Sequence, residues 1–62
     1  MKVRDLIRIL KKDGWQKVRT RGHHRQYHRP SKSGTVTVAG HPWTDIPPGI
    51  LKSILKQAGL DT

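Results

Sequence analysis

The sequence predicts an α+β domain of order α-β-β-β-α, a three-stranded antiparallel sheet with two helices on one face. Three observations carry this. Apolar residues recur at helical spacing near each end of the chain. Between them lie three short segments separated by two tight turns, the pattern of an antiparallel meander. The chain has 62 residues, so residues 1–62 form one domain. A chain of that size buries only about 60% of the surface its unfolded form exposes, so its core is thin.

Each element follows from local chemistry. Val3, Leu6, Ile7 and Leu10 fall at i, i+3, i+4 and i+7, with Lys2, Arg4, Arg8, Lys11 and Lys12 mostly on the other side. Asp5 in the first turn and Lys11 and Lys12 in the last suit the helix dipole. Gly14 offers a left-handed cap. The spacing predicts a helix over about residues 3–13. Trp15 to Thr20 alternates loosely and reads as a strand, with Arg21-Gly22 as the turn. His24 to Arg29 reads as the second strand, closed by Pro30, and Ser31 to Gly34 as the second turn. Thr35-Val36-Thr37-Val38 is β-branched throughout and marks the third strand. Gly40 to Pro48 is a loop. Pro47 or Pro48 starts the last helix without loss, because its missing N–H has no partner there anyway. Leu51, Ile54, Leu55 and Ala58 give that helix, about 48–58, its apolar face, and Gly59-Leu60 ends it.

Charge narrows the function classes. Thirteen Lys and Arg stand against four Asp and no Glu, a formal net charge of +9. No acidic residue lies between Gly14 and Thr44, where six basic residues and all four histidines sit. Such a field attracts a polyanion, and counterion release favours nucleic acid. The alternative is a solvated surface that serves only solubility. There is no cysteine, which removes disulfides and thiolate-bound metal and fits a reducing cytoplasm. The first apolar run is broken by Arg4, Asp5 and Arg8, so no signal peptide is expected. No segment is long and apolar enough to span a bilayer, and no membrane partner is expected.

The segment Arg21-Gly22-His23-His24-Arg25-Gln26-Tyr27 holds the parts a metal-independent ribonuclease needs. Glycine lets backbone approach a phosphate. Arginine binds phosphate bidentately. Histidine moves protons near neutral pH. Together they offer a base for a 2′-OH and cations for the charge that builds on the phosphate. Histidine beside arginine also occurs in binding proteins that do no chemistry, so a non-catalytic RNA-binding module stays open. On a strand His24, Gln26 and His28 share one face, and Arg25, Tyr27 and Arg29 the other. His24 and His28 then lie ~13 Å apart, too far to act as base and acid on one phosphodiester or to share a zinc ion. Asp5, Asp13, Asp45 and Asp61 are scattered, with Asp61 near a fraying terminus, whereas two-metal phosphodiesterases need converging carboxylates. No cofactor is expected. Trp15 follows a helix cap and reads as core, as does Tyr27. Trp43 is open between core and base stacking. Arg25 and Arg29 sit awkwardly on Tyr27's face unless they lie at its edges.

Gly14-Trp15, Gly22-His23-His24-Arg25-Gln26-Tyr27, Thr35-Val36-Thr37-Val38, Asp45-Ile46-Pro47-Pro48-Gly49 and Leu51 to Leu60, in that order and spacing, resemble the HicA toxins of prokaryotic toxin–antitoxin systems. The resemblance implies a double-stranded-RNA-binding-like fold and an mRNA interferase that halts translation. It also implies a HicB-like antitoxin that masks the active site in a heteromeric complex, with the free toxin a monomer. The family's essential histidine follows a glycine and one small residue, commonly serine. That carries onto Gly22 and His24, with His23 standing where serine is usual. His24 is thus the expected general base. Lys17, Arg21 or Arg25 would steady the phosphate, and Arg19, Gly22, His23 and His28 complete the expected RNA-binding set.

Overall fold

Val3, Leu6 and Leu10 turn one stripe of helix α1 (Val3–Lys12) into the core, where each is almost fully buried. The structure, a computed structural model, describes residues 1–60; Asp61 lies outside the described residues. Strands β1 (Gln16–Arg21), β2 (His24–His28) and β3 (Thr35–Ala39) follow, then helix α2 (Pro48–Gln57). The sheet is antiparallel in the order β1-β2-β3. The molecule measures 29 × 28 × 17 Å, room for one sheet and one helical layer. None of its helices is long and apolar enough to cross a membrane among the described residues.

The face taken by the core is fixed by pairing. Tyr27 pairs with Val36, and Arg25 with Val38, so these four side chains project to one side. Tyr27, Val36 and Val38 are buried there with Trp15, Ile46, Ile54 and Ala58, and with the α1 stripe. Both helices therefore serve one face. Burial raises the Tyr27 phenol above its ordinary pKa, with Arg25 pulling the other way. The two arginines on this face do lie at its ends. Arg25 Nη1 donates to the Gly40 carbonyl at 2.7 Å, and Arg29 Nη1 donates to Asp13 Oδ2 at 2.9 Å.

Both helices end in the same way. At α1 the Gly14 N–H donates to Lys11 O and the Trp15 N–H to Leu10 O. At α2 the Gly59 N–H donates to Lys56 O and the Leu60 N–H to Leu55 O. These are Schellman motifs, and they require positive φ at the glycine, here 100° at Gly14 and 72° at Gly59. The start of α1 is different. No side chain caps it; the Val3 N–H donates to Thr44 O and the Arg4 N–H to Pro42 O, both at 2.9 Å. Loop carbonyls thus satisfy donors that a helix leaves open. Ile46 N–H donating to Met1 O and Lys2 Nζ meeting Asp45 at 3.2 Å complete the tie.

One turn differs from expectation. The first hairpin turns on Gly22-His23, not on Arg21-Gly22, because Arg21 still pairs with His24. Gly22 has φ 59°, and among the described residues only glycines show positive φ, which fits a two-residue turn with glycine first.

Asp13 holds three elements together. It closes α1, accepts from Arg29, and lies 3.4 Å from Lys32 Nζ, which itself donates to Ala58 O at the end of α2. These groups are only about a quarter to a third exposed. Asp13→Ala should therefore cost ~1–2 kcal/mol, more than an exposed pair, because it leaves a half-buried guanidinium without its acceptor. Urea unfolding checks this, with Asp5→Ala as the exposed comparison, expected within about 0.5 kcal/mol of the unaltered chain.

Candidate active site and nucleic-acid interface

The face away from the helices is built from three rows of paired residues. Arg21, His24 and Ala39 form one row, Arg19, Gln26 and Thr37 the next, and Gln16, His28 and Thr35 the third. A bulge sets which basic residues join it. The register shifts between Lys17 and Arg19, leaving Val18 as the extra residue. Without it, alternation from buried Trp15 would place Lys17, Arg19 and Arg21 all on the core side. With it, Lys17 pairs with Tyr27 on the helix-bearing side, and Arg19 and Arg21 turn to His24.

Arg19, Arg21, His24, Gln26 and Thr37 line a shallow pocket of about 220 Å³. His24 is exposed, so its imidazole is open to solvent. Among the described residues no carboxylate pairs with Arg19 or Arg21. Two guanidinium groups and an imidazole thus share one concave surface with an amide and a hydroxyl. The set can bind an anion and exchange a proton beside it. Among the described residues, no three His, Cys, Asp or Glu side chains gather into a metal-ligand set.

The other residues singled out from the sequence lie elsewhere. Arg25 is on the opposite side, half-buried and bonded to Gly40. Lys17 is exposed on that same side. Gly22 and His23 form the turn beside His24, and a side chain added at Gly22 would meet nothing within 4 Å. His28 shares the face of His24 but sits at the far end of the strand. Alternation sets Gln26 on the face of His24, and its side chain lines the pocket. Thr37 lines the pocket through its pairing, and the Thr-Val alternation of β3 was its only sequence signal. Trp15 is buried at 2% exposure, whereas Trp43 is 64% exposed. The Trp43 ring stacks on His41, which in turn meets His23.

The family model for the HicA toxin of bacterial toxin–antitoxin systems matches residues 3–60, nearly the whole chain. This chain belongs to the HicA toxin family. No curated protein matches it. As a HicA toxin it is the toxin half of a bacterial toxin–antitoxin pair, and an antitoxin is its partner. Within this HicA fold, the pocket around His24 is the concave surface where the chain's uncompensated arginines meet a histidine.

The geometry separates two kinds of arginine, and salt dependence can tell them apart. Arg19→Ala or Arg21→Ala should each lower affinity for single-stranded RNA and reduce the slope of log affinity against log salt by ~0.7. Arg25→Ala should leave that slope near wild type and lower the melting temperature instead, because it frees the Gly40 loop. Fluorescence anisotropy of a labelled oligonucleotide at several salt concentrations, beside thermal melts, gives both readouts.

Proposed function

We propose that this HicA toxin is an endoribonuclease that cuts single-stranded or weakly structured mRNA, with His24 as general base, and thereby stops translation. The observation that supports the reading is an exposed imidazole flanked by two uncompensated arginines on the bare side of the sheet. A ring nitrogen of His24 takes the proton of a ribose 2′-OH. The 2′-oxygen attacks the neighbouring phosphorus, and the bond to the 5′-oxygen breaks. The products are a 2′,3′-cyclic phosphate and a 5′-hydroxyl, whose proton comes from solvent. Arg19 and Arg21 donate to the phosphate oxygens as negative charge builds. Gln26 and Thr37 offer hydrogen bonds to the ribose. Gly22 leaves room for the backbone of the RNA, and His23 and His28 meet the strand on either side. No step in this reading uses a metal ion.

A base of this kind contributes typically ~10²–10⁴-fold. His24→Ala should therefore lose cleavage on that scale while circular dichroism and RNA affinity stay close to wild type. A 2′-deoxy substitution at the scissile nucleotide should block the unaltered protein, and EDTA should not. A dead His23→Ala beside an active His24→Ala would reverse the two roles. Intact RNA that is merely shifted on a gel would make the protein a binding module.

The antitoxin enters the same reading. We assign it as a HicB-like protein that docks over the basic face in the cytoplasm, and the free toxin as a monomer. With +9 on the toxin, acidic groups on the partner would speed encounter, and added salt would slow it. Titrating antitoxin into a cleavage assay should extinguish activity at saturation, with Arg19, Arg21 and His24 protected in footprinting. Full cleavage by a saturated complex would defeat the masking.

A further inference from the structure

His23, His41 and Trp43 form a run of three rings at the end of the sheet that carries His24. The His23 and His41 rings are 4.0 Å apart, centroid to centroid, and tilted by 55°. His41 and Trp43 are 4.6 Å apart and within 11° of parallel. A lone exposed tryptophan would need no explanation. This one is held. The carbonyls on either side of it, Pro42 O and Thr44 O, accept the first two N–H groups of α1. The Thr44 N–H donates back to His41 O at 3.0 Å, closing the turn that carries the indole. The Gly40 N–H donates to His23 O at 3.0 Å while Arg25 grips Gly40 O, so the loop is locked against the Gly22-His23 turn. The loop backbone that carries the rings is therefore held before any ligand arrives, which lowers the cost of ordering it on binding.

We propose that this ring stack is a platform for one unpaired nucleobase of the RNA strand, adjacent to the phosphate at His24. The inference rests on the ribonuclease reading above and assigns it a base-binding subsite. Three features point to a nucleobase. His23 directly precedes His24, so the stack is built on the turn that leads into the strand carrying His24. Arg21, the strand partner of His24, flanks the same turn, and its cation suits a phosphate chain running past it. The indole is 64% exposed, and its stacked neighbour His41 holds it flat. Every base has a π-face, so such a platform accepts any base and favours single strands, whose bases are free to turn out.

The test uses the whole chain and a short RNA fully 2′-O-methylated, which has no free 2′-OH and so reports binding whether or not the protein cleaves. Trp15 is buried, so quenching of tryptophan fluorescence on titration reports Trp43. Loss of one aromatic–base stack should weaken binding about tenfold in Trp43→Leu, while Trp43→Phe stays within about threefold of wild type. The salt slope should not change, since no cation is removed. A second arm moves a single abasic site along the oligonucleotide. One position should cost the wild-type chain about tenfold and cost Trp43→Leu almost nothing. That arm needs only the unaltered fold to locate the base. Equal affinity of Trp43→Leu and wild type, or an abasic penalty at no position, would overturn the platform. Coupling between Trp43 and one base in a protein that never cleaves would uphold the platform and overturn the catalytic reading. Cleavage without that coupling would do the reverse. Contact of Trp43 with the antitoxin alone, with RNA unaffected, would also overturn it.

Discussion

Tyr27 is the one residue of β2 that is buried, and the side it takes decides the rest of the sheet. Its partner Val36 and the neighbouring Val38 must follow it inward, and the helices must cover that side. The paired residues of the opposite side are, Ala39 apart, polar or charged, and no helix covers them. His24 is even where Tyr27 is odd in the alternation, and it faces water for that reason alone. A slip of one residue would bury the imidazole and expose the phenol. The candidate surface is thus the complement of the core, produced by the same register.

The charged residues divide along that boundary. Arg25, Arg29 and Lys32 rise from or near the core side and spend their charge on protein acceptors: a loop carbonyl, Asp13 and the end of α2. Arg19 and Arg21 stand on the other side without a carboxylate among the described residues. A high net charge alone does not say which cations are available to a ligand. The three that are tied give the thin core a polar girdle at its ends, where two layers leave the backbone poorly covered. The two that are free sit on a paired strand, so their backbone positions are set by the sheet and not by a loop.

Much of this was legible in the residues. Helical spacing gave both helices, and Gly14 and Gly59 marked their ends because few other residues accept the left-handed backbone there. Alternation set His24 against Arg25 and Tyr27 correctly. What alternation lacked was the destination of the Arg25 and Arg29 side chains, which depends on a carbonyl fifteen positions away and on an aspartate at the end of α1. That Lys17 and Arg21 face opposite sides was not legible, since nothing in Gln16-Lys17-Val18-Arg19 signals a bulge: there is no glycine, and Val18 is a good strand residue. His41 and Trp43 belong to a loop whose shape comes from capping α1, a long-range condition that no local pattern carries.

Val18 has a further meaning when proteins of different length are compared. Lys17 pairs with Tyr27 and Arg19 with Gln26, and those two partners are adjacent in β2. A chain lacking the residue between them would keep every pair on both sides and simply run straight. The position is a place where the backbone absorbs or sheds one residue without disturbing Trp15 in the core or Arg19 beside the pocket. A gap aligned one or two positions away would instead exchange inward and outward residues on paper, and would assign the pocket's arginines to the wrong side of the sheet. In this fold the insertion point, more than the identity of its side chain, tells which basic residues of a relative correspond to those facing His24.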